Sequence, residues 1–345
     1  MKIGIFDSGV DTPEEIIMAA GMTPIRFFGN PTLNIKNANE HVPPNHCIWA
    51  RNILEQAIKG VDKDVKGVVV THGCDCTNRE FDIWLECIDL DFMYFLNTPL
   101  KRDETAIKFF IEDIKEMISQ IEDKFEVNIN SSRIREAINL TNKIRIILKE
   151  ISGYRAKRLI KGSEFHQLVK YAQMKEKQDI LLLLEQRLAS LKKAEPIIKK
   201  HKEKEILLTG SVIDDTNFIV YLENLGFHIV ADDLCIGSRY FWDLIDETVD
   251  PVEALARYHL KKPIYSTKVP SIERFTLLKE LALTYKVDGV INVAQKFCEP
   301  ILFDHPVMSK KFKQIGIPYL FIELGYNRES YKQSTTRFEA FAEII

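Results

Sequence analysis

The sequence predicts an α/β protein: two Rossmann-like or flavodoxin-like parallel-sheet domains with a helical segment between them. Three observations carry this. Short apolar runs rich in Val, Ile and Phe alternate with helix-period runs over residues 1–102 and again over 204–345, as a mostly parallel sheet with helical crossovers requires. Residues 103–203 contain no strand pattern, and Ile134, Ile138, Ile144, Ile147 and Leu148 recur at helical spacing. The chain has 345 residues, 46% of them apolar, which is enough to fill more than one core.

The elements follow in order. Lys2–Phe6 is a short apolar strand. Thr12-Pro13-Glu14-Glu15 reads as a capping box with Pro at the first helical position, opening a helix that stops at Gly21. Thr23–Phe28 is a second strand. Cys47–Lys59 has helical spacing, Gly67–Thr71 is a Val-rich buried strand, Asn78–Ile88 is a short helix and Asp91–Leu96 a further strand. In the middle segment Gly153 and Gly162 are expected to break the helical pattern, and one long helix is expected from Glu164 to about Lys193. The charge run Lys199–Lys204 reads as a solvated helix end or linker. Glu205–Leu208, Phe227–Ala231, Val287–Ala294 and Pro318–Ile322 read as strands of the last domain, and Asp250-Pro251 with Glu253 opens a helix between them. The expected domains are 1–102, a helical segment 103–203, and 204–345.

Composition excludes several classes. A net charge of −3 gives no basic field for nucleic acid. No apolar run approaches the 18 residues of a membrane span. The N-terminus reads straight into a strand without the apolar region of a leader, so the expected location is the cytoplasm. There is no GxxxxGK[ST], GxSxG or HExxH, and no complete GxGxxG.

Six cysteines remain: Cys47, Cys74, Cys76, Cys87, Cys235 and Cys298. In a reducing compartment they are ligands or core residues before they are disulfides. No pair has CxxC spacing, which removes zinc ribbons and ferredoxin loops. Cys74 and Cys298 fall just past the carboxyl ends of strands, where open α/β sheets place their sites. Cys47 opens a helix, and a helix N-terminus favours the metal-binding thiolate. Three thiolates from separate loops can hold three corners of a [4Fe–4S] cube and leave one iron open. Cys87 shares a helical face with Phe81, Trp84 and Ile88 and reads as core. Cys76 either packs under the Cys74 loop or serves as an alternative ligand, and the position of Cys235 after a strand does not exclude it.

The residues around these cysteines resemble a known family. Phe6-Asp7, Pro13-Glu14-Glu15-Ile16-Ile17, Ala19-Ala20-Gly21 and Pro24 are similar to its opening segment. His46-Cys47, Thr71-His72-Gly73-Cys74-Asp75 and Lys296-Phe297-Cys298-Glu299-Pro300 resemble its three cluster-cysteine segments. Asp232–Phe241 and the ending Thr335-Thr336-Arg337-Phe338-Glu339-Ala340-Phe341 are collinear with further family segments. On these residues the chain resembles a subunit of the 2-hydroxyacyl-CoA dehydratase and benzoyl-CoA reductase family.

The resemblance implies a [4Fe–4S] cluster on Cys47, Cys74 and Cys298, between the two α/β domains. It also implies a homologous second subunit or a homodimer, an ATP-dependent activator as electron donor, and an acyl-CoA or other small-molecule substrate. The reaction would be a radical dehydration or a low-potential reduction. A related branch holds an [8Fe–9S] double cubane with six cysteines, two of them near the position of Ile264-Tyr265-Ser266 here. A non-enzymatic electron-transfer or cluster-carrier protein is the other reading, favoured if Cys76 or Cys235 completes the coordination. His72 and Glu299 are candidates for acid–base work, since an unperturbed imidazole suits that role near neutral pH, with a structural role as the alternative; His305 stands in the same position. Arg239 and Arg337 either hold anionic substrate groups or tie loops together.

Overall fold

The computed structural model describes residues 1–9, 11–60, 64–198, 203–268 and 270–345. Within them lie two four-stranded sheets, each wholly parallel. The first contains β1 (Lys2–Phe6), β2 (Thr23–Arg26), β3 (Val65–Thr71) and β4 (Phe92–Leu96) in the order β2-β1-β3-β4. The second contains β5 (Lys204–Gly210), β6 (Phe227–Asp233), β7 (Gly289–Gln295) and β8 (Tyr319–Leu324) in the order β6-β5-β7-β8. The two halves therefore repeat one topology. The inner strands are buried on both faces, as in Val68–Val70 of β3 and all of β7, which is why they read as unbroken apolar runs.

The crossover helices of the first half are α1 (Glu14–Ala19), α2 (Ile48–Ile58) and α3 (Asp75–Cys87). The middle of the chain forms α4 (Glu104–Phe125), α5 (Ser131–Ala156), α6 (Gly162–Ala172) and α7 (Lys177–Leu191). The second half carries α8 (Thr216–Asn224), α9 (Pro251–Lys261), α10 (Ser271–Thr284), α11 (Glu299–Gln314), α12 (Arg328–Gln333) and α13 (Thr335–Ile344). None of the described helices is long and apolar enough to cross a membrane.

Most elements lie where the pattern put them, and four readings need correction. The Thr12–Glu15 capping box does not form. Thr12 turns back to the Asp7 carboxylate and Thr71, and Glu15 is fully buried against Arg145. Gly153 does not break its helix but sits inside α5. The cost of one helical Gly, about 1 kcal/mol, is outweighed by the buried stripe of Ile144, Leu148 and Ile151 around it. Gly162 is the first residue of α6. The single helix expected from Glu164 to Lys193 is two, α6 and α7. They part at residues 173–176, where Gln173 turns to bond Arg26 and Lys177 buries its ammonium on Glu14. Of the charge run, residues 199–202 lie outside the described residues, and Lys204 begins β5. The Asp250 cap forms as expected, its carboxylate accepting the Val252 and Glu253 N–H groups.

The chain halves are not packed separately. Helix α9 follows β6 in sequence, yet its Ala254, Leu255, Tyr258 and Leu260 join the core of the first sheet with Ile3, Ile5, Ile107 and Phe110.

Candidate active site and thiol centre

In a sheet of order β2-β1-β3-β4 the chain reverses direction between β1 and β3, and a crevice opens beyond the carboxyl ends of those two strands. The second sheet opens the equivalent crevice beyond β5 and β7. Both crevices face one cavity lined by Cys47, Cys74, Cys76, Cys235 and Cys298 together with Ser8, Ser211, Tyr265, Arg239 and Arg274.

Three of these cysteines share one local geometry. Cys47, Cys74 and Cys298 are the N-cap residues of α2, α3 and α11. At each, the N–H of the third helical residue, Ala50, Thr77 or Ile301, favours the ionised sulfur. Cys74 and Cys298 each lie three residues past the end of the corresponding inner strand, β3 or β7. Cys47 is brought to them by two anchors. The N–H of Ile48 bonds the carbonyl of Lys296 at 3.2 Å, just ahead of Cys298. His46 Nε2 meets Glu80 Oε1 at 3.1 Å, on the helix that Cys74 caps. The backbone before Cys298 is strained: Phe297 has φ 67°, unusual for a side chain of that size.

Burial pushes the Cys47 thiol up to about 12, against the pull of the helical N–H groups. Burial raises Cys298 as well, and the nearby Cys47 and Cys74 sulfurs add to it. Cys74 is lowered, first because the Cys76 thiol donates to it. The neighbouring sulfurs raise the cost of ionising Cys47 and Cys298, which a cation among the three would offset. Among the described residues, no three His, Cys, Asp or Glu side chains close on a point as ligands of a single ion would.

An outer cleft of about 480 Å³ adjoins the cavity and reaches Cys74 and Cys76 from outside. His72 and Glu299 both line it. His72 Nδ1 meets the Thr98 carbonyl at 3.1 Å, and since a carbonyl only accepts, the proton resides on Nδ1 and Nε2 remains an acceptor in the neutral ring. Leu100, Phe303 and Val307 supply apolar wall, and Phe303 is 80% exposed.

The remaining candidates are placed elsewhere. Cys87 is not core: it lies half-buried at the end of α3 with its sulfur 3.2 Å from His41 Nδ1, outside the cavity. His305 stacks on Phe321 at 3.9 Å between ring centroids and faces β8. Arg239 lines the cavity, but its guanidinium is spent on Asp233 at 2.7 Å and on the carbonyls of Pro263 and Ile264. Arg337 bonds the Phe321 carbonyl and is not part of the cavity wall. Both arginines tie loops together.

Sequence reasoning missed the polar residues that join the halves around the cavity. Asp214, after β5, accepts from Gly29 N–H at 2.7 Å, Trp49 Nε1 at 2.8 Å and the Tyr326 hydroxyl. Asp11, after β1, accepts from Tyr265 at 2.8 Å and Lys268 at 2.7 Å. The only signal in the sequence was a carboxylate just past the first strand of each half.

Residues 10–345 match the family model described as 2-hydroxyglutaryl-CoA dehydratase, D-component. The (R)-phenyllactyl-CoA dehydratase beta subunit of Clostridium sporogenes is 27% identical, over 97% of this chain and 89% of its own length. The lactoyl-CoA dehydratase beta subunit of Anaerotignum propionicum is 23% identical, and a benzoyl-CoA reductase subunit of Thauera aromatica is 22% identical, with the same coverage of both chains. With nearly its whole length matched, the chain belongs to the 2-hydroxyglutaryl-CoA dehydratase D-component family, an enzyme family whose relatives are dehydratase and reductase subunits.

Proposed function

We propose that Cys47, Cys74 and Cys298 hold a [4Fe–4S] cluster with one open iron, in one subunit of a radical 2-hydroxyacyl-CoA dehydratase or a low-potential acyl-CoA reductase. The observation that carries this is the convergence of three N-capping cysteines, from both sheets, on one cavity. When bound, the cluster supplies a low-potential electron and a coordination position for a substrate oxygen.

The chain's own residues supply the rest. The outer cleft admits a thioester beside Cys74, and Leu100, Phe303 and Val307 offer apolar surface to it. His72 Nε2 and the Glu299 carboxylate stand at its wall as proton acceptors. The relatives are named as single subunits of dehydratases and of a reductase, which supports a partner, either a homologous chain or a second copy. The family resemblance supplies a separate ATP-dependent activator as the source of the low-potential electron, and the sequence carries no P-loop of its own.

A second reading, a coordinatively closed electron carrier, has one observation in its favour: the Cys76 thiol lies against Cys74 and takes the Cys47 N–H. The six-cysteine double cubane is one ligand short, because Cys87 lies away from the cavity and Tyr265 and Ser266 line it where that branch has cysteines.

Protein isolated anaerobically and reconstituted is expected to be brown and to carry about four iron and four sulfide per chain. Cys76→Ala is expected to retain them. Iron and sulfide assays check both. No iron in the wild type sinks the cluster, about eight moves the reading to the double cubane, and loss of iron from Cys76→Ala favours the closed carrier.

A further inference from the structure

We propose that Ser8 and Ser211 are a matched pair of hydroxyl donors to the sulfurs of the group held by Cys47, Cys74 and Cys298, and that they set its reduction potential. The inference rests on the cluster reading above and deepens it.

The first ground is topology. The two sheets repeat one strand order, so β1 corresponds to β5 and β3 to β7. Cys74 and Cys298 occupy matching places after β3 and β7. Ser8 follows β1 by two residues and Ser211 follows β5 by one, so each half presents one serine and one cysteine across its own crevice. Both serines line the thiol cavity.

The second ground is an unspent donor. Ser8 Oγ is buried and has no hydrogen-bond partner among the described residues. Such a hydroxyl is costly to bury unless something in the cavity accepts its proton. Its position is built. The Asp7 carboxylate gathers the N–H groups of Gly9 at 2.6 Å, Asp11 at 2.5 Å and Thr12 at 3.0 Å, which folds the loop around Ser8. Gly73 lets the hydroxyl approach the backbone beside Cys74, since a Cβ there would collide with Ser8 Oγ.

Ser211 is held in the same way. Its oxygen accepts the Gln295 N–H at 2.7 Å, three residues ahead of Cys298. Among the described residues its hydroxyl donates to the Val293 carbonyl at 3.4 Å, a long bond that a sulfur in the cavity can replace. Neither serine is charged or acts as a ligand in this scheme; each is a positioning residue acting through sulfur. Hydrogen bonds to sulfur stabilise the more negative, reduced form and raise the potential.

The test uses the full chain, reconstituted anaerobically, with iron content measured beside an EPR-monitored redox titration of Ser8→Ala, Ser211→Ala and the double variant. The expected result is unchanged iron with a more negative potential. Each single substitution should weaken reduction about tenfold, ~59 mV for one electron, and the double variant should shift further than either. Ser211→Thr, which keeps the hydroxyl, should stay near the wild type. Full iron with an unmoved potential in both single variants overturns the inference and leaves the cluster standing. Loss of iron from either serine variant also overturns it, because the residue would then be holding the group and not tuning it. A wild type that binds no iron fails at the earlier step, the cluster itself.

Discussion

Serine at Cys47, Cys74 or Cys298 is expected to remove most of the iron, from about four per chain to a small fraction, while Cys87→Ser leaves the content unchanged. Each of the three thiols comes from a different helix N-terminus and from a different wall of the cavity, so none can stand in for another. A hydroxyl is a harder and far less acidic ligand than a thiol, and the nearby N–H groups that favour a thiolate do not ionise it. Cys87 faces His41 at the protein surface, so its serine variant should be nearly neutral for stability as well. Iron and sulfide assays with visible spectra settle the matter. Equal loss from Cys87→Ser, or full retention in Cys298→Ser, would defeat the assignment.

The second large effect is expected at Glu15. Its carboxylate lies 2.6 Å from Arg145, accepts from Thr141 at 2.8 Å, and is wholly shut off from solvent. Glu15→Ala leaves the Arg145 guanidinium buried over the Tyr258 ring without its counter-charge. Removing one member of such a pair costs about 3–5 kcal/mol. Replacing both, as Glu15→Leu with Arg145→Met, should recover much of that loss, because it also removes the stranded charge. Urea unfolding of the singles and the double reads both effects; a double variant as unstable as the single would refute this account. Burial alone would raise the Glu15 pKa, but the Arg145 charge and hydrogen bond override it, so the folded value lies below the ordinary 4.5. The stability from this pair is therefore present above about pH 4.5 and is lost as pH falls through the folded value.

The strands were legible because buried parallel strands are nearly all Val, Ile, Leu and Phe, and the meeting of Cys74 and Cys298 at one cavity was legible because both follow such strands directly. What failed has physical reasons. Thr12 and Glu15 have the spacing of a capping box, but two stronger partners, Asp7 and Arg145, compete for them from elsewhere in the fold. Gly153 is a helix breaker only where packing does not decide. Cys87 has core spacing with Trp84, yet the last turn of α3 runs past the edge of the packed layer, so the same helical face emerges at the surface. Ser8, Ser211 and Tyr265 belong to no motif. They become a set only once the order of strands in both sheets is known, and apolar patterning does not encode that order.

The placement of α9 bears on how the protein comes off the ribosome. The last strand of the first sheet is complete at Leu96, but the helix that closes its core ends at Lys261. At roughly 5–20 residues per second, translation leaves that layer uncovered for on the order of ten seconds. Ile3, Ile107 and Phe110 meanwhile lack their cover from Leu255 and Leu260. The N-terminal half is therefore not an early, self-sufficient folding unit. Its apolar face is completed only when Leu255 and Leu260 of the second half pack onto it.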